Sequence, residues 1–250
     1  MSTITSQNRS SEKTVVSRES LYRLFADRPM KDEDLLVNLS MYMRSGSLAK
    51  LLFINEMYQK ILNIPGAVFE FGVWMGATTI ALENLRAVYE PYNHQRRIVA
   101  FDTFEGYLGI GKSDIRSKII GEGVYTVSEG YEKYLEELLD YHEQENVMSH
   151  IKKHTLIKGD ASVACPGYLQ GNPYVLIALA YFDMALYEPT RKCLEAIMPR
   201  LIKGSVLVFD ELCHPDYPGE TQAVLEVLGA RNFEIQKSKF LPDRSFVIIS

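Results

Sequence analysis

From residue 67 to the end of the chain, short apolar segments alternate with helical ones, and this constrains the fold more than any other feature. Ala67-Val68-Phe69-Glu70-Phe71 reads as a strand and Ala77 to Tyr89 as a helix. Ile98-Val99-Ala100-Phe101 is the next strand, closed by Asp102. Thr155 to Ile157, Val175 to Phe182 and Ser205 to Phe209 follow, with helices over 128–145, 189–198 and 220–228. Strands that are apolar throughout are buried on both faces, which a parallel sheet between two helical layers provides. Phe233 to Gln236 and Phe246 to Ile249 make a final strand pair. The expected architecture is therefore α/β, a doubly wound and mostly parallel sheet with an antiparallel C-terminal strand.

The first 66 residues have a different period. Residues 1–16 read as a flexible tail. Residues 17–66 read as a helical extension, a lid or a subunit contact, with Ser17 or Ser20 and then Ser47 as N-caps. Residues 67–250 are left as the core, with a glycine-rich, mobile loop at about 104–130. An excess of 32 acidic over 27 basic residues offers no footprint for nucleic acid. The longest apolar run, Val175 to Phe182, is far short of the ~20 residues that span a bilayer. Three scattered cysteines make neither a disulfide framework nor a zinc site. A cytoplasmic chain with no membrane partner is expected.

Ligands of open α/β sheets sit beyond the carboxyl ends of the strands. Those positions hold Glu70, Gly72, Val73, Trp74 and Gly76, then Asp102-Thr103, then Asp160-Ala161, then Asp183, then Asp210-Glu211. Gly72 admits a ligand to bare backbone, and the helix start at Gly76 to Thr78 offers free amides. Asp102 stands where an acid accepts ribose hydroxyls. Without the middle glycine of a dinucleotide fingerprint, an adenosine bearing a carboxylate fits better, which points to S-adenosylmethionine. Asp183, Asp210 and Glu211 end strands that such a sheet sets side by side, ~4.8 Å apart. Three converging carboxylates call for a hard cation such as Mg²⁺. His214 is a further candidate base or substrate contact.

Phe69-Glu70-Phe71-Gly72-Val73-Trp74-x-Gly76, Phe101-Asp102-Thr103-Phe104-Glu105-Gly106, Phe182-Asp183-x-x-x-Tyr187-Glu188 and Val208-Phe209-Asp210-Glu211 resemble the macrocin O-methyltransferase family. These are metal-dependent sugar O-methyltransferases of antibiotic biosynthesis. The resemblance implies a class I methyltransferase (Rossmann-like) fold and S-adenosylmethionine over the first two strands. It also implies Mg²⁺ on Asp183, Asp210 and Glu211, with Asp183 as base. The acceptor would be a deoxysugar hydroxyl, on a glycosylated small molecule or a nucleotide sugar. A homo-oligomer is expected. The chain departs from the family at Ala185, where a second acid is usual, and at Glu211, where Asp is usual.

Two other readings stay open. Gly106-Tyr107-Leu108-Gly109-Ile110-Gly111-Lys112-Ser113 matches a P-loop, and Val206 to Glu211 matches the strand and acid that hold Mg²⁺ in nucleotide hydrolases. Against it, Asp102, Thr103 and Glu105 separate the loop from its strand, and Glu105 and Asp114 flank the cradle with the wrong charge. The other is a non-catalytic S-adenosylmethionine-binding protein.

Overall fold

The computed structural model describes residues 11–114, 120–229 and 231–250, leaving out the side chains of residues 12 and 13. The first ten residues of the expected tail, and residues 115–119 of the expected loop, lie outside the described residues. Seven strands form one sheet: β1 (Ala67–Phe71), β2 (Ile98–Asp102), β3 (His154–Lys158), β4 (Ile177–Phe182), β5 (Leu201–Phe209), β6 (Ile235–Lys237) and β7 (Ser245–Ile248). Their order is β3-β2-β1-β4-β5-β7-β6. The pairs from β3 through β5 are parallel, and β7 runs antiparallel to both its neighbours. This is the doubly wound arrangement expected from the sequence, with its crevice where the strand order reverses between β1 and β4.

The described residues form eight α-helices: α1 (Glu12–Ala26), α2 (Asp32–Val37), α3 (Ser45–Lys60), α4 (Ala77–Tyr89), α5 (Tyr131–Gln144), α6 (Ala161–Gly171), α7 (Tyr187–Ile197) and α8 (Pro218–Val227). On one face α6, α7 and α8 pack Cys165, Leu169, Cys193, Leu194, Ile197 and Val224 against Phe69, Phe71, Phe101, Phe182 and Phe209. On the other, α3 and α4 bury Phe53, Ile54, Met57, Tyr58 and Leu82 against Val68, Leu179, Tyr181 and Val208. Leu135 and Leu139 of α5 cover Val73 and Ala100.

Several boundaries differ from the sequence reading. Ser11, not Ser17 or Ser20, caps α1, accepting the Thr14 amide. The helix therefore takes in residues 12–16, which had been read as tail. Ser47 lies inside α3, whose N-cap is Arg44. The sequence reading also contained no α6. The Asp160 side chain caps that helix by accepting the Ser162 amide at 2.8 Å, and burial of Cys165 and Leu169 outweighs Pro166.

Although read as part of the extension, α3 forms a layer of the core. It is stapled there by Arg96, whose guanidinium is buried. Its Nη1 donates to the Gly66 carbonyl at 2.6 Å and its Nη2 to those of Ile61 and Ile64 at 2.8 and 2.9 Å. Glu90 balances its charge (Nε–Oε2 2.8 Å). Helices α1 and α2 leave Leu24, Leu36 and Val37 largely exposed.

Candidate active site

The strand register lines up the site. Phe71 is level with Phe101 on one side and Phe182 on the other, and Phe182 is level with Phe209. The four rings stack across the sheet with centroids 4.7–5.4 Å apart. The next residue of each strand, in spatial order Asp102, Gly72, Asp183 and Asp210, therefore forms a second row directly beyond the rings. Gly72 holds φ +90°, and a Cβ there would run into the Asp183 carbonyl. No other residue fits between the flanking acids.

That row borders a cavity of about 430 Å³. Of the residues singled out from sequence, it is lined by Gly72, Val73, Trp74, Thr78, Asp102, Thr103, Asp160, Ala161, Asp183, Asp210 and Glu211. Three of them do not line it. Glu70 is buried beneath the turn, where its Oε2 accepts the Thr79 hydroxyl at 2.5 Å. Burial pushes its pKa up to about 8, helped by Asp183 and Asp102 and opposed by Thr79 and Lys50. Gly76 makes the left-handed entry to α4 at φ +82°, and the Leu135 side chain fills the space above it. The missing side chain lets α5 approach at this point. His214 lies outside the cavity; its Nδ1 accepts the Asp216 amide at 3.2 Å and its ring packs on Tyr217.

At one end of the cavity, Asp102 accepts the Val73 and Trp74 amides on Oδ2 at 2.6 and 2.7 Å and the Phe104 amide on Oδ1 at 2.6 Å. The carboxylate thus ties the turn after β1 to the turn after β2. Thr103 braces the second turn, its hydroxyl donating to the Gly106 carbonyl at 2.9 Å.

At the other end, ligand atoms of Asp183, Asp210 and Glu211 lie within 4.8 Å of one another. Burial first, and then neighbouring acids, push Asp210 up to about 6 and Glu211 up to about 8. Two cations that no sequence pattern marked stand beside them. Lys50 of α3 places its Nζ 3.6 Å from Asp183 Oδ2. Arg244, in the β6–β7 turn, lies against Asp210 as an ion pair (Nε–Oδ1 2.5 Å), and the Tyr181 hydroxyl donates to the same oxygen at 2.6 Å. Burial acts to lower the Lys50 pKa, but Asp183 and Asp210 outweigh it and hold it above its ordinary value.

An all-oxygen donor set, desolvated and mutually repelling, fits a hard divalent cation, and Asp210 Oδ2 is left for it. Two other acid and His groups occur among the described residues. Glu83, Glu143 and His154 surround Arg86 and Lys153, while Lys152 pairs with Glu136 and Asp140 of the second. Both are already neutralised by the protein.

Over the opening stand Trp74, Tyr107 and Tyr125, with Trp74 and Tyr107 5.8 and 5.3 Å from Tyr125 between centroids. The phosphate-loop pattern beside them makes no anion cradle. Asp114 accepts the Gly111 amide at 2.9 Å and the Tyr187 amide at 2.8 Å, placing a carboxylate where a phosphate would sit.

A model of the methyltransferase domain family matches residues 69–212, more than half of the chain. The 8-demethyl-8-(2,3-dimethoxy-alpha-L-rhamnosyl)-tetracenomycin-C 4'-O-methyltransferase of Streptomyces olivaceus is 29% identical over 158 residues, 59% of this chain and 53% of that protein. The chain thus spans about half the length of this curated relative. The crystal structure of CalS11, a calicheamicin methyltransferase, matches with a TM-score of 0.93 at 38% identity, over 96% of this chain and 93% of CalS11. An apo structure of CalS11, described as a TDP-rhamnose 3'-O-methyltransferase, matches with a TM-score of 0.85. The O-methyltransferase NovP shares the fold, with a TM-score of 0.62 at 18% identity over 81% of this chain and 80% of its own. Among the described residues, no helix is long and apolar enough to cross a membrane. With the family model spanning most of the sheet and CalS11 matching almost end to end, the chain belongs to the methyltransferase domain family.

Proposed function

We propose that this chain is an O-methyltransferase that uses S-adenosylmethionine and a divalent cation to methylate a hydroxyl of a deoxysugar, on a nucleotide sugar or a glycosylated natural product. The observation that carries the reading is the single cavity joining the glycine turn and Asp102 to the carboxylates of Asp183, Asp210 and Glu211. CalS11 is described as acting on TDP-rhamnose and the Streptomyces relative on a rhamnosyl tetracenomycin, and both descriptions favour a sugar hydroxyl.

When bound, S-adenosylmethionine supplies an electrophilic methyl group and the cation supplies charge that eases loss of a hydroxyl proton. The chain's own residues do the rest. Gly72 and the Val73–Trp74 turn present bare backbone to the donor, and Asp160-Ala161 at the start of α6 line its far side. Asp183, Asp210 and Glu211 would hold the cation. Asp183 would accept the hydroxyl proton, a role supported by Lys50, which balances its charge from 3.6 Å. Positioning supplies much of the acceleration, because methyl transfer from a sulfonium to oxygen releases a neutral thioether and needs little acid chemistry.

Isothermal titration with S-adenosylhomocysteine, with and without Mg²⁺, tests the donor site. Methyl transfer that survives in both Asp183→Asn and Asp210→Asn, with unchanged sensitivity to chelator, would sink the metal reading. No heat with S-adenosylhomocysteine, together with ATP binding lost in Lys112→Ala, would favour the nucleotide-hydrolase alternative. Exposed Leu24, Leu36 and Val37 support a homo-oligomer in which α1 and α2, the part of the extension outside the core, act as lid or subunit contact. Light scattering on the purified chain decides that point.

A further inference from the structure

A second cavity, of about 780 Å³, opens between α1 and α3. Its described lining includes Arg18, Arg44 and Lys50, with the hydroxyls of Ser45 and Ser47, and no acidic residue. In a chain with 32 acidic and 27 basic residues, a hollow whose described lining bears three cations, one of them paired with Asp183, and no acid runs against composition. Such a field concentrates anions. The start of α3 adds to it. Arg44 is the N-cap and makes no side-chain capping bond, so the first-turn amides have no protein cap.

Lys50 lines both cavities, and its ammonium touches the reaction end of the first through Asp183. The cationic hollow therefore begins where the carboxylate cavity ends. The geometry points to an acceptor that is anionic on one side of its sugar. We propose that the α1–α3 hollow holds the diphosphate of a nucleoside diphosphate sugar, which makes the acceptor the activated sugar and not a finished neutral glycoside. This rests on the sugar O-methyltransferase reading and narrows it.

The chemistry of such a molecule matches the placement. Its phosphate is esterified at the anomeric carbon, so the anion starts one oxygen away from the sugar ring. A ring seated beside Asp183 then has its diphosphate next to Lys50. Asp102 and Asp160, at the donor end of the main cavity, repel that anion, while Arg18, Arg44 and Lys50 attract it. Together they fix which way round the sugar enters. A neutral aglycone would draw nothing from three cations. The two named relatives differ on this point, CalS11 being described with a nucleotide sugar and the tetracenomycin enzyme with a glycoside. The hollow favours the first.

The test titrates the full chain with thymidine diphosphate and with inorganic pyrophosphate, alongside S-adenosylhomocysteine. The wild-type chain should bind thymidine diphosphate with an affinity that falls as salt rises. Arg18→Glu and Arg44→Glu should each weaken it by about tenfold or more, as loss of a charge-assisted contact does. Neither variant should alter S-adenosylhomocysteine binding. With a nucleotide deoxysugar as acceptor, Arg44→Glu should raise KM and leave kcat nearly unchanged, since the contact lies away from the reacting atoms. The proposal is overturned by no binding of thymidine diphosphate at ~1 mM while S-adenosylhomocysteine still binds. Equal thymidine diphosphate affinity in wild type and variants, or a lower KM for a neutral glycoside, overturns it as well. Failure of the broader reading looks different, with no heat from S-adenosylhomocysteine and no sugar methylated in either form.

Discussion

Asp102 and Asp210 occupy equivalent places, each following the last phenylalanine of its strand, yet the protein treats them in opposite ways. Asp102 receives three backbone amides and joins two turns. Asp210 is nearly fully buried, shares one oxygen between Tyr181 and Arg244, and faces two further carboxylates. A strand-end acid stays open to a ligand where the fold leaves one of its oxygens without a donor, and ties turns together where the fold supplies donors to both.

The largest effect that separates the two is catalytic. Asp210→Asn should lower kcat/KM by on the order of 10³-fold, the several kcal/mol that a bound cation contributes, and steady-state assays over a range of Mg²⁺ concentrations measure it. Asp102→Ala should act first on stability. Three lost backbone acceptances at about 1 kcal/mol each predict a loss of about 3 kcal/mol in denaturant unfolding. Should Asp102→Ala unfold like the wild type, the contrast between the two acids would collapse.

A pH series sharpens the same contrast. Glu211, raised to about 8, and Asp210, raised to about 6, keep protons in the folded metal-free protein that the unfolded chain releases near pH ~4. Glu70, raised to about 8, acts in the same direction. Because the folded state binds more protons, metal-free stability should fall as pH rises from about 5 to about 8. Mg²⁺ must displace protons from Asp210 and Glu211, so its affinity should rise through the same window. Melting curves with and without Mg²⁺ read both trends, and a metal-free melting temperature that climbs with pH would contradict them. The smallest effect is expected at His214, which lies outside the cavity. His214→Ala should leave kcat/KM within about threefold of wild type.

The sheet was legible in the sequence because the central strands are largely apolar and each ends in the same Phe-acid or Phe-Gly step. That step places the aromatic row and the acid row in register. Helix α6 was not legible, since Pro166 and Gly167 argue against a helix that capping by Asp160 and burial of Cys165 and Leu169 nonetheless form. Lys50 and Arg244 carry no local signal. One sits on a helix before β1 and the other in a turn near the C-terminus, and only the folded chain brings both to the carboxylates. The ribose role expected of Asp102 could not anticipate its three amide partners. The Trp74 amide faces it in a turn where Trp74 adopts φ +51°, a conformation that no spacing rule marks.

Arg96 has a practical consequence for recombining this enzyme with its relatives. A crossover placed at Gly66, where the sequence changes character, would leave a foreign segment to present the carbonyls at positions 61 and 64 that this buried guanidinium holds. It would also set a foreign α3 against Val68, Leu179 and Val208, whose packing was fitted to Phe53, Ile54 and Met57. The segment that can be exchanged without disturbing the interior ends near Arg44. A transplant of residues 1–44 would carry Arg18 and the outer wall of the cationic hollow to a new host, and leave Lys50 with the carboxylates it serves.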